Sequence, residues 1–410
     1  MTKKSDAPAI RFKGFSDAWE QRKLSEMCGT FEYGLNAAAK EFDGKNKYIR
    51  ITDIDDASRE FLLSDLSSPD ICLDGMSKYL LSSGDIVFAR TGASVGKTYI
   101  YRENDGIVYF AGFLIRAKVN QDNDAEFVFQ STLSPSYEKY IRITSQRSGQ
   151  PGVNAQEYGE YDLFAPSKEE QQRIGRFLRG IDNLITLHQR KFEKLTNVKK
   201  SMLEKMFPQN GSSYPEIRFK GFTDPWEQRK VGDLLIERNQ QAPMSDEYPL
   251  MAFIANEGVA PKGERYDRSA LVTDTVNKLY KKTEKGDFIY SSNNLETGSI
   301  GLNKYGKACI SPVYSIFEPT GIADSDFLGR RLVRKDFINA MVKWRQGVIY
   351  GQWRIHESDF LKIEITVPSV EEQRKIGAYL DQLDNLITLH QRELEKLQNI
   401  KKSMLEKMFV

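Results

Sequence analysis

One long segment occurs twice in this chain and restricts its fold more than any other feature. Residues 169–207 and 371–409 share the identical blocks DNLITLHQR and KKSMLEKMF, and the second copy lies 202 positions after the first. Within each copy, apolar residues recur at alternating steps of three and four, and no proline interrupts the pattern. A heptad pattern of this length predicts a coiled-coil helix about 60 Å long in each copy, at about 1.5 Å per residue.

The predicted seam of these two helices is apolar apart from one histidine in each copy. Its members are Ile174, Leu178, Ile181, Ile185, His188, Phe192 and Leu195, then Ile376, Leu380, Leu383, Ile387, His390, Leu394 and Leu397. A polar residue at one core position often determines the register of a coiled coil. If the helices pack antiparallel, His188 and His390 should meet near the helix midpoints. The alternative is that each is a tolerated seam histidine without a special role.

The duplication extends beyond the helices. The segment IRFKGFSDAWEQRK at 10–23 returns as IRFKGFTDPWEQRK at 217–230, and from Gly84 onward the offset between the copies stays at 202. Each copy therefore has a short opening, a variable domain and a long helix. We divide the chain into an N-terminal segment (1–23), a first domain (24–167), a central helix (168–207), a linker with the repeated opening (208–230), a second domain (231–369) and a C-terminal helix (370–410).

Both variable domains combine strand and helix patterns, which predicts an α+β fold. The expected architecture is two globular α/β domains, separated by two long antiparallel helices and related by a pseudo-twofold axis. Strands are predicted at 47–54, 85–90, 107–119, 248–255, 287–292 and 308–319. Helices are predicted at 124–143, with a break near Pro135, and at 324–344, with Asp324 or Ser325 as N-cap. Ser167 and Ser369 precede Glu pairs and should cap the long helices.

Composition excludes several classes of protein. No run of 18 apolar residues is present, which argues against a transmembrane helix, and the first residues lack the apolar core of a signal peptide. The three cysteines follow no metal-ligand spacing, so we expect a reducing cytoplasm and no metal site. The net charge of +2 gives no general evidence for nucleic acid. Any basic surface must be local.

One stretch resembles a phosphate-binding loop. It runs from Gly92 to Thr98 and has three residues between its glycines, whereas a P-loop needs four. The residues after it read as a strand, but a P-loop must open a helix whose amides face the phosphate. A glycine-bearing turn between strands is the better interpretation, with a P-loop nucleotide-binding enzyme as the weaker alternative. No other catalytic motif is found, so we predict a binding protein without a cofactor of its own.

Small clusters of polar residues occupy corresponding loops in the two copies. Arg, Asn, Gln and Ser are side chains that read base edges, and glycines let the backbone approach phosphate. The candidate DNA-binding residues are Arg90, Thr91, Ser94, Lys97, Gln146, Arg147, Ser148, Gln150, Ser292, Asn293, Asn294, Lys304, Arg345, Gln346, Tyr350, Gln352 and Arg354. For any single residue a solvated loop is an equally good explanation. The loops keep their spacing while their side chains differ, which suits two different half-sites.

The whole chain resembles the specificity subunit of type I restriction–modification systems. The resemblance depends on the paired openings at 10–23 and 217–230, the GDIVFARTGASVGK stretch, the SGQPGVN loop and the paired starts of the long helices. It implies two target-recognition domains, each reading one half of a bipartite double-stranded DNA target. It also implies that the antiparallel helices set the spacer and dock two methyltransferase subunits, which restriction subunits join.

The same resemblance implies a subunit without catalytic residues. S-adenosylmethionine, ATP and Mg would then serve only the partner subunits. Beside the seam, an apolar flank offers a candidate partner surface, although packing against the recognition domains would explain it equally well. It consists of Phe177, Leu184, Leu187 and Val198, and of Tyr379, Leu386, Leu389 and Ile400. A coiled-coil adaptor without a DNA role is the remaining alternative.

Overall fold

The computed structural model describes residues 7–209, 211–261, 278–349 and 352–410. The chain forms two compact units: the first unit comprises Met1–Phe192 and His390–Val410, and the second unit comprises Glu193–Leu389. Each long helix therefore gives its first part to one unit and its second part to the other. The sequence analysis made each long helix a segment of its own. In the structure each helix is instead divided between the two units.

The first unit is a mixed α/β domain on the first half of a long helix. Its strands are β1 (Glu20–Lys23), β2 (Cys28–Tyr33), β3 (Ala39–Glu41), β4 (Lys47–Ile49), β5 (Ser67–Pro69), β6 (Asp85–Ala89), β7 (Thr98–Ile100), β8 (Val108–Phe110), β9 (Leu114–Val119) and β10 (Asp162–Ala165). Its helices are α1 (Leu24–Met27), α2 (Ala125–Ser131), α3 (Pro135–Thr144), α4 (Ala155–Gly159) and α5 (Lys168–Lys205), which continues into the second unit. The central antiparallel sheet has the order β2-β9-β6-β7.

The second unit repeats this arrangement. Its strands are β11 (Glu227–Lys230), β12 (Leu235–Glu237), β13 (Gln241–Ala242), β14 (Ala252–Ile254), β15 (Gly258–Ala260), β16 (Tyr280–Thr283), β17 (Phe288–Tyr290), β18 (Ile300–Leu302), β19 (Ala308–Ile310), β20 (Ser315–Pro319), β21 (Gln346–Ile349), β22 (Gln352–Arg354) and β23 (Glu364–Val367). Its helices are α6 (Val231–Leu234), α7 (Ser325–Arg331), α8 (Lys335–Val342), α9 (Glu357–Phe360) and α10 (Val370–Met408). The central sheet order β12-β20-β17-β18 corresponds to that of the first unit.

Strand β6 shows why the sheet is the centre of each domain. Because side chains alternate along a strand, Ile86 and Phe88 enter the larger core, whereas Val87 enters a second core on the other face. All three side chains are fully buried. Burial on both faces explains the continuous apolar run IVFA, which has no polar alternation. Strand β17 does the same in the second unit, with Phe288 and Ile289 on opposite faces.

The repeated Gly-Asp pair forms the turn that leads into each central strand. Gly84 and Gly286 have φ values of +88° and +95°, in the left-handed region that glycine adopts without strain. The following Asp85 carboxylate accepts a hydrogen bond from the Ser82 amide at 2.8 Å. Burial raises the pKa of Asp85 above its ordinary value. The pair is thus a structural motif, which accounts for its presence in both copies.

Each long helix begins by docking onto the domain that precedes it. In the first unit, Gln171 accepts a hydrogen bond from the Asp124 amide at 3.0 Å and donates to the Pro166 carbonyl at 2.9 Å. Asp124 in turn caps α2 by accepting from the Phe127 amide. In the second unit, Gln373 and Asp324 make the same contacts. These hydrogen bonds therefore attach the first turn of each long helix to its own domain.

A glycine allows this close approach. A Cβ atom on Gly175 would lie 2.6 Å from the Asp124 carboxylate and 3.0 Å from the Phe127 amide nitrogen. On the same helix, a Cβ atom on Gly180 would meet nothing within 4 Å. The two positions differ in packing but share the cost that glycine imposes on a helix, so they form a matched pair.

We expect Gly175→Ala to destabilise the protein by about 1–3 kcal/mol, because the helix must shift away from the α2 cap. Gly180→Ala should instead stabilise it by up to about 1 kcal/mol, since alanine is the better helix former. Urea unfolding of the full chain measures both changes. Equal stabilisation by the two variants would show that the helix start is not tightly docked at Gly175.

The two long helices run antiparallel within each unit. In the first unit, Lys401 forms an ion pair with Asp182 at 2.5 Å, and the Nδ1 atoms of His188 and His390 lie 3.1 Å apart. In the second unit, Lys199 pairs with Asp384 at 2.5 Å. The expected meeting of the two seam histidines is confirmed. Burial and the neighbouring His188 lower the pKa of His390.

Burial along the seam is graded. Ile174, Leu178 and Ile181 lie in the core of the first unit, and Ile376, Leu380 and Leu383 lie in that of the second. The middle positions are only half-buried, namely Ile185, His188, Phe192, Leu195, Ile387, His390, Leu394 and Leu397. The middle of the seam is therefore less buried than the starts of the two helices. Elsewhere the seam is covered by a domain.

Most sequence-based elements are present, but several are shorter than predicted. The long helices match within two residues at each end, and the break near Pro135 is confirmed, with Ser134 as N-cap of α3. Asp324 caps α7 as predicted. The single helix predicted at 324–344 was wrong, because the chain breaks after Arg331 and restarts at Lys335. The cause is tertiary: Leu332 is fully buried, and the Arg334 guanidinium stacks on Phe207 at 5.1 Å.

The predicted strands at 107–119 and 308–319 are each divided in two, and those at 47–54 and 248–255 are shortened. The strand at 47–54 ends at Ile49, because the Asp53 carboxylate accepts hydrogen bonds from the Arg50 amide and side chain and closes a 3-10 turn at Ile51–Asp53. The strand at 248–255 is reduced to Ala252–Ile254.

Within the described ranges, no helix is long and apolar enough to cross a membrane.

Candidate nucleic-acid interface

Two loops that are distant in the first copy of the sequence lie side by side in the first unit. The turn after β6 pairs with the SGQPGVN loop: Gly92 donates its amide to the Pro151 carbonyl at 3.0 Å, and Val153 donates to the Arg90 carbonyl at 2.9 Å. Tyr158 supports them from below, since its buried hydroxyl donates to the Ala89 carbonyl at 2.7 Å. The predicted residues of this copy are thereby brought to one surface.

The turn does not have the form of a phosphate-binding loop. After β6 it forms a short 3-10 turn at Gly92–Ser94 and then enters strand β7, so no helix presents its amides there. A Cβ atom at Gly96 would lie 2.5 Å from the Ile141 side chain, so this glycine serves close packing against α3. The interpretation as a glycine-bearing turn between strands is confirmed. Among the described residues, no group of three or more potential metal ligands occurs.

Arg90 lies where the two loops are joined by hydrogen bonds. Its guanidinium carbon lies 5.0 Å from the centre of the Tyr33 ring. Its backbone is held on both sides, since its amide donates to the Phe113 carbonyl at 3.0 Å and its carbonyl accepts from Val153. Tyr33 is 46% exposed and accepts a hydrogen bond from the Ala155 amide. The arginine is therefore presented on an aromatic support from a rigid backbone.

The other predicted cations of this copy are already engaged. Lys97 is only 9% exposed, donates to the Ile54 carbonyl at 3.1 Å and pairs with Asp56 at 2.7 Å. Its assignment to a DNA contact is therefore corrected, because moving it would break the buried hydrogen bond to Ile54 and the ion pair with Asp56. Arg147 donates to the Thr144 and Gln146 carbonyls and pairs with Glu157. Gln146, Ser148 and Gln150 are exposed, and Thr91 and Ser94 are half-buried.

The second unit brings its corresponding loops together in the same way. The Ser292 hydroxyl accepts a hydrogen bond from the Ile355 amide at 3.0 Å, and Arg345 makes a bidentate ion pair with Glu296 at 2.7 and 2.6 Å. This pairing lowers the pKa of Glu296. Asn293 is half-buried, Asn294 and Arg354 are exposed, and Gln346 donates to Asp359 at 3.2 Å. Tyr350 lies outside the described residues, and only the backbone of Gln352, in β22, is described.

Lys304 does not belong to this surface. Its ammonium group pairs with Asp381 on α10 at 2.7 Å, and this contact lowers the pKa of Asp381. It also lies 3.7 Å from the Asp326 carboxylate at the start of α7. The sequence-based assignment of Lys304 to DNA contact is corrected: the residue fastens the second domain to its long helix. By the constant offset Lys304 corresponds to Arg102, which also pairs with a carboxylate, that of Glu126 in α2.

The sequence-based candidates did not include Tyr33 or Trp353, one aromatic residue of each surface. Tyr33 supports Arg90, and Trp353 lies 5.9 Å from the Arg345 guanidinium and is 44% exposed. Trp353 stands inside the predicted 345–354 cluster, so its exposure could have been suspected from its polar neighbours. Tyr33 is 57 positions before Arg90 and carries no local signal. The sequence also did not indicate that Glu157 and Glu296 pair with Arg147 and Arg345.

Some residues of the apolar flank pack within their own unit, whereas others are exposed and could contact a partner. Phe177 packs edge-on against Phe12 at 5.7 Å, and Tyr379 packs against Phe219 at 5.8 Å, so both meet the repeated openings of their own units. Val198 joins the core of the second unit. By contrast, the four leucines near the helix midpoints are 43–52% exposed, namely Leu184 and Leu187 in the first unit and Leu386 and Leu389 in the second.

A duplicated α/β domain with paired polar loops at the end of a central strand, carried on long helices, defines a binding protein with two similar recognition surfaces. The model of the type I restriction modification DNA specificity domain matches residues 16–197 and again residues 223–399. The chain belongs to this family and contains two DNA specificity domains.

Known proteins similar to the chain are specificity subunits. One from Methanocaldococcus jannaschii, named for the type I restriction enzyme MjaX, is 24% identical over 405 residues, covering 94% of this chain and 92% of the relative. The MjaVIII specificity subunit of the same organism is 23% identical over 372 residues, covering 85% and 83%. The crystal structure of a type I S subunit from M. genitalium shares the fold, with a TM-score of 0.63 at 14% identity, covering 98% of this chain and 99% of that chain.

Proposed function

We propose that each unit reads one half of a bipartite double-stranded DNA target within a type I restriction–modification complex. The observation that carries this proposal is the repeated loop pair. Equivalent strands β6 and β17 end in loops that meet a second loop, yet the first surface presents Arg90 and Tyr33 whereas the second presents Ser292, Arg345 and Trp353. One scaffold with two sets of side chains is what two different half-sites require.

Within this proposal the chain binds and positions but does not catalyse. Methyl transfer and ATP-dependent cleavage would belong to partner subunits, which would hold S-adenosylmethionine, ATP and Mg. Two features of the loops support this division. The carboxylates nearest the loops, Glu157 and Glu296, are neutralised by arginines, and the turn after β6 offers no helix N-terminus for a phosphate. The cytoplasmic location expected from the cysteine pattern is part of the same proposal.

We assign the docking of two methyltransferase subunits to the middle of the long helices. The support is the exposure of Leu184 and Leu187 in the first unit and of Leu386 and Leu389 in the second. Pairs of exposed leucines on a regular helix face are typical of interaction surfaces. Restriction subunits would join through the methyltransferases. Because the leucines recur with the duplication, each partner would meet an equivalent site.

The helices should also set the length of the unread spacer. Seven residues inserted directly after Gln189 and seven directly after Leu389 would lengthen both helices by about 10 Å at 1.5 Å per residue. Since DNA rises about 3.4 Å per base pair along one strand, the preferred spacer should grow by about three base pairs. Methylation mapping in a host that carries the methyltransferase subunits reads both half-sites and the spacer together.

Both helices must be lengthened in this experiment. An insertion in one helix alone would displace the pairs Asp182–Lys401 and His188–His390 or the pair Lys199–Asp384, so it serves as the control for simple disruption. The half-site sequences should stay the same in the doubly extended protein. An unchanged spacer would contradict the ruler function. Absence of any sequence-specific binding by the wild-type complex would instead favour an adaptor without a DNA role.

A further inference from the structure

We propose that Arg90, supported by Tyr33, reads a guanine in the half-site that the first unit recognises. The inference rests on the proposed function and goes further, since it assigns one base to one side chain. Its starting point is a contrast among the cations of the first interface. Lys97 is bound to Asp56 and Arg147 to Glu157, whereas in the part of the chain that the structure describes Arg90 forms no ion pair with a carboxylate.

The position of Arg90 is specified more tightly than that of an ordinary surface arginine. Its amide and carbonyl are both engaged by neighbouring loops, through Phe113 and Val153. Its guanidinium carbon lies over the Tyr33 ring, 5.0 Å from the ring centre, and this contact restricts the side chain. Stacking on a ring leaves the N–H groups at the edge of the guanidinium available. Little conformational freedom is then lost when a ligand binds.

These features select guanine among the bases. Two parallel N–H donors match the O6 and N7 acceptors that guanine presents in the major groove, which is the most common specific contact of arginine. Adenine offers one acceptor and one donor at the same edge, so one N–H group would face another donor. The arginine fork also fits a phosphate, but a phosphate contact carries no base preference. The held backbone of Arg90 and its support by the Tyr33 ring favour the contact with guanine.

The second copy explains why this assignment concerns one half-site only. Ser292 stands at the position that corresponds to Arg90 in the repeat. Its hydroxyl is already engaged with the Ile355 amide at 3.0 Å. A short side chain with an occupied oxygen cannot replace the forked donors of an arginine. The guanine contact is therefore expected in the half-site of the first unit and has no counterpart at this position in the second.

The test measures base preference with the complete methyltransferase complex on a randomised DNA library. Arg90→Ala should reduce the preference for guanine at one position of the first half-site by about 10- to 100-fold. Arg90→Lys should restore general affinity but only part of that preference. Tyr33→Ala should lower the preference several-fold, and Tyr33→Phe should retain it, since the ring is the support. Base preferences in the second half-site should be the same in every variant.

Arg147→Ala gives the contrasting behaviour within the same surface. Because Arg147 is already neutralised by Glu157, its loss should leave both the affinity for DNA and the guanine preference close to those of the wild type. The proposal is overturned if Arg90→Ala weakens every sequence equally while Arg90→Lys binds like wild type, which is the signature of a phosphate contact. Failure of the wild-type complex to select any sequence would instead contradict the proposed function itself. Circular dichroism confirms that each variant is folded.

Discussion

Replacing residues 24–165 with the corresponding domain of another specificity subunit should exchange the first half-site completely and leave the second half-site unchanged. Both loops of the first interface lie within this segment, and the second interface lies wholly in another unit. The long helices are untouched, so the spacer should also be preserved. Methylation mapping of a host that expresses the chimera with its methyltransferase subunits gives the complete target in one measurement.

The structure also shows which contacts the exchanged segment must make with the retained parts of the chain. The exchanged segment must complete the pairing of β10 with β1, which stays behind, and must supply a residue like Asp124 at the α2 cap. The Asp124 amide donates to Gln171 on the retained helix, and Gly175 passes close to its carboxylate. A chimera whose donor domain lacks an aspartate there should fold poorly, and restoring the aspartate should rescue it.

If each domain reads its half-site independently, the exchange must change the first half-site and nothing else. A change in both half-sites would show that the domains do not read DNA independently. A change in the spacer alone would place a spacer determinant inside the exchanged domain. The matching exchange in the second unit, with ends beside β11 and β23, should show the opposite pattern.

Removing the guanidinium of Arg11 should cost about 3–5 kcal/mol of stability, the cost of breaking a buried ion pair by deleting one partner. The two nitrogens of Arg11 meet the carboxylate oxygens of Glu170 at 2.7 Å each, and the Glu170 side chain is fully buried. This contact raises the pKa of Arg11. Without its partner the carboxylate stays buried at the start of α5 without an equivalent charge. Urea unfolding of the full chain measures the change.

The chain contains its own controls for this prediction. Arg218 makes the same bidentate contact with Glu372 in the second unit, so Arg218→Ala should have a similar cost. An exposed pair, Lys205 with Glu216, should contribute less than about 1 kcal/mol. Replacing Arg11 and Glu170 together by apolar residues should recover much of the loss. A cost for Arg11→Ala as small as that of Lys205→Ala would show that the buried pair does not hold the opening segment in place.

The sequence predicted most accurately where a pattern is local and long. The ends of both long helices, the Pro135 break and the Asp324 cap depend on spacing or on single residues within a few positions, and all are confirmed. The histidine pair could also be anticipated, because antiparallel helices of equal length must bring equivalent midpoints together. These features follow from helix periodicity and capping, which need no knowledge of distant residues.

The candidate site was less predictable because it depends on partners far apart in sequence. Lys97 and Lys304 are long cations in polar loops, and only the folded chain shows that they bind Asp56 and Asp381. Tyr33 was missed because nothing near it in sequence marks it as a support for Arg90. The break between α7 and α8 likewise depends on a contact of Arg334 with Phe207, 127 positions away.

The sequence alone determined that this protein is a duplication with two long helices and two variable domains, since repeat spacing and heptad periodicity are properties of the chain itself. Only the tertiary structure decided which polar residues are available to DNA. The reason is physical: a charged side chain is free to bind a ligand only if no other part of the fold has already neutralised or buried it. By that criterion Arg90 is available, whereas Lys97 and Lys304 are structural.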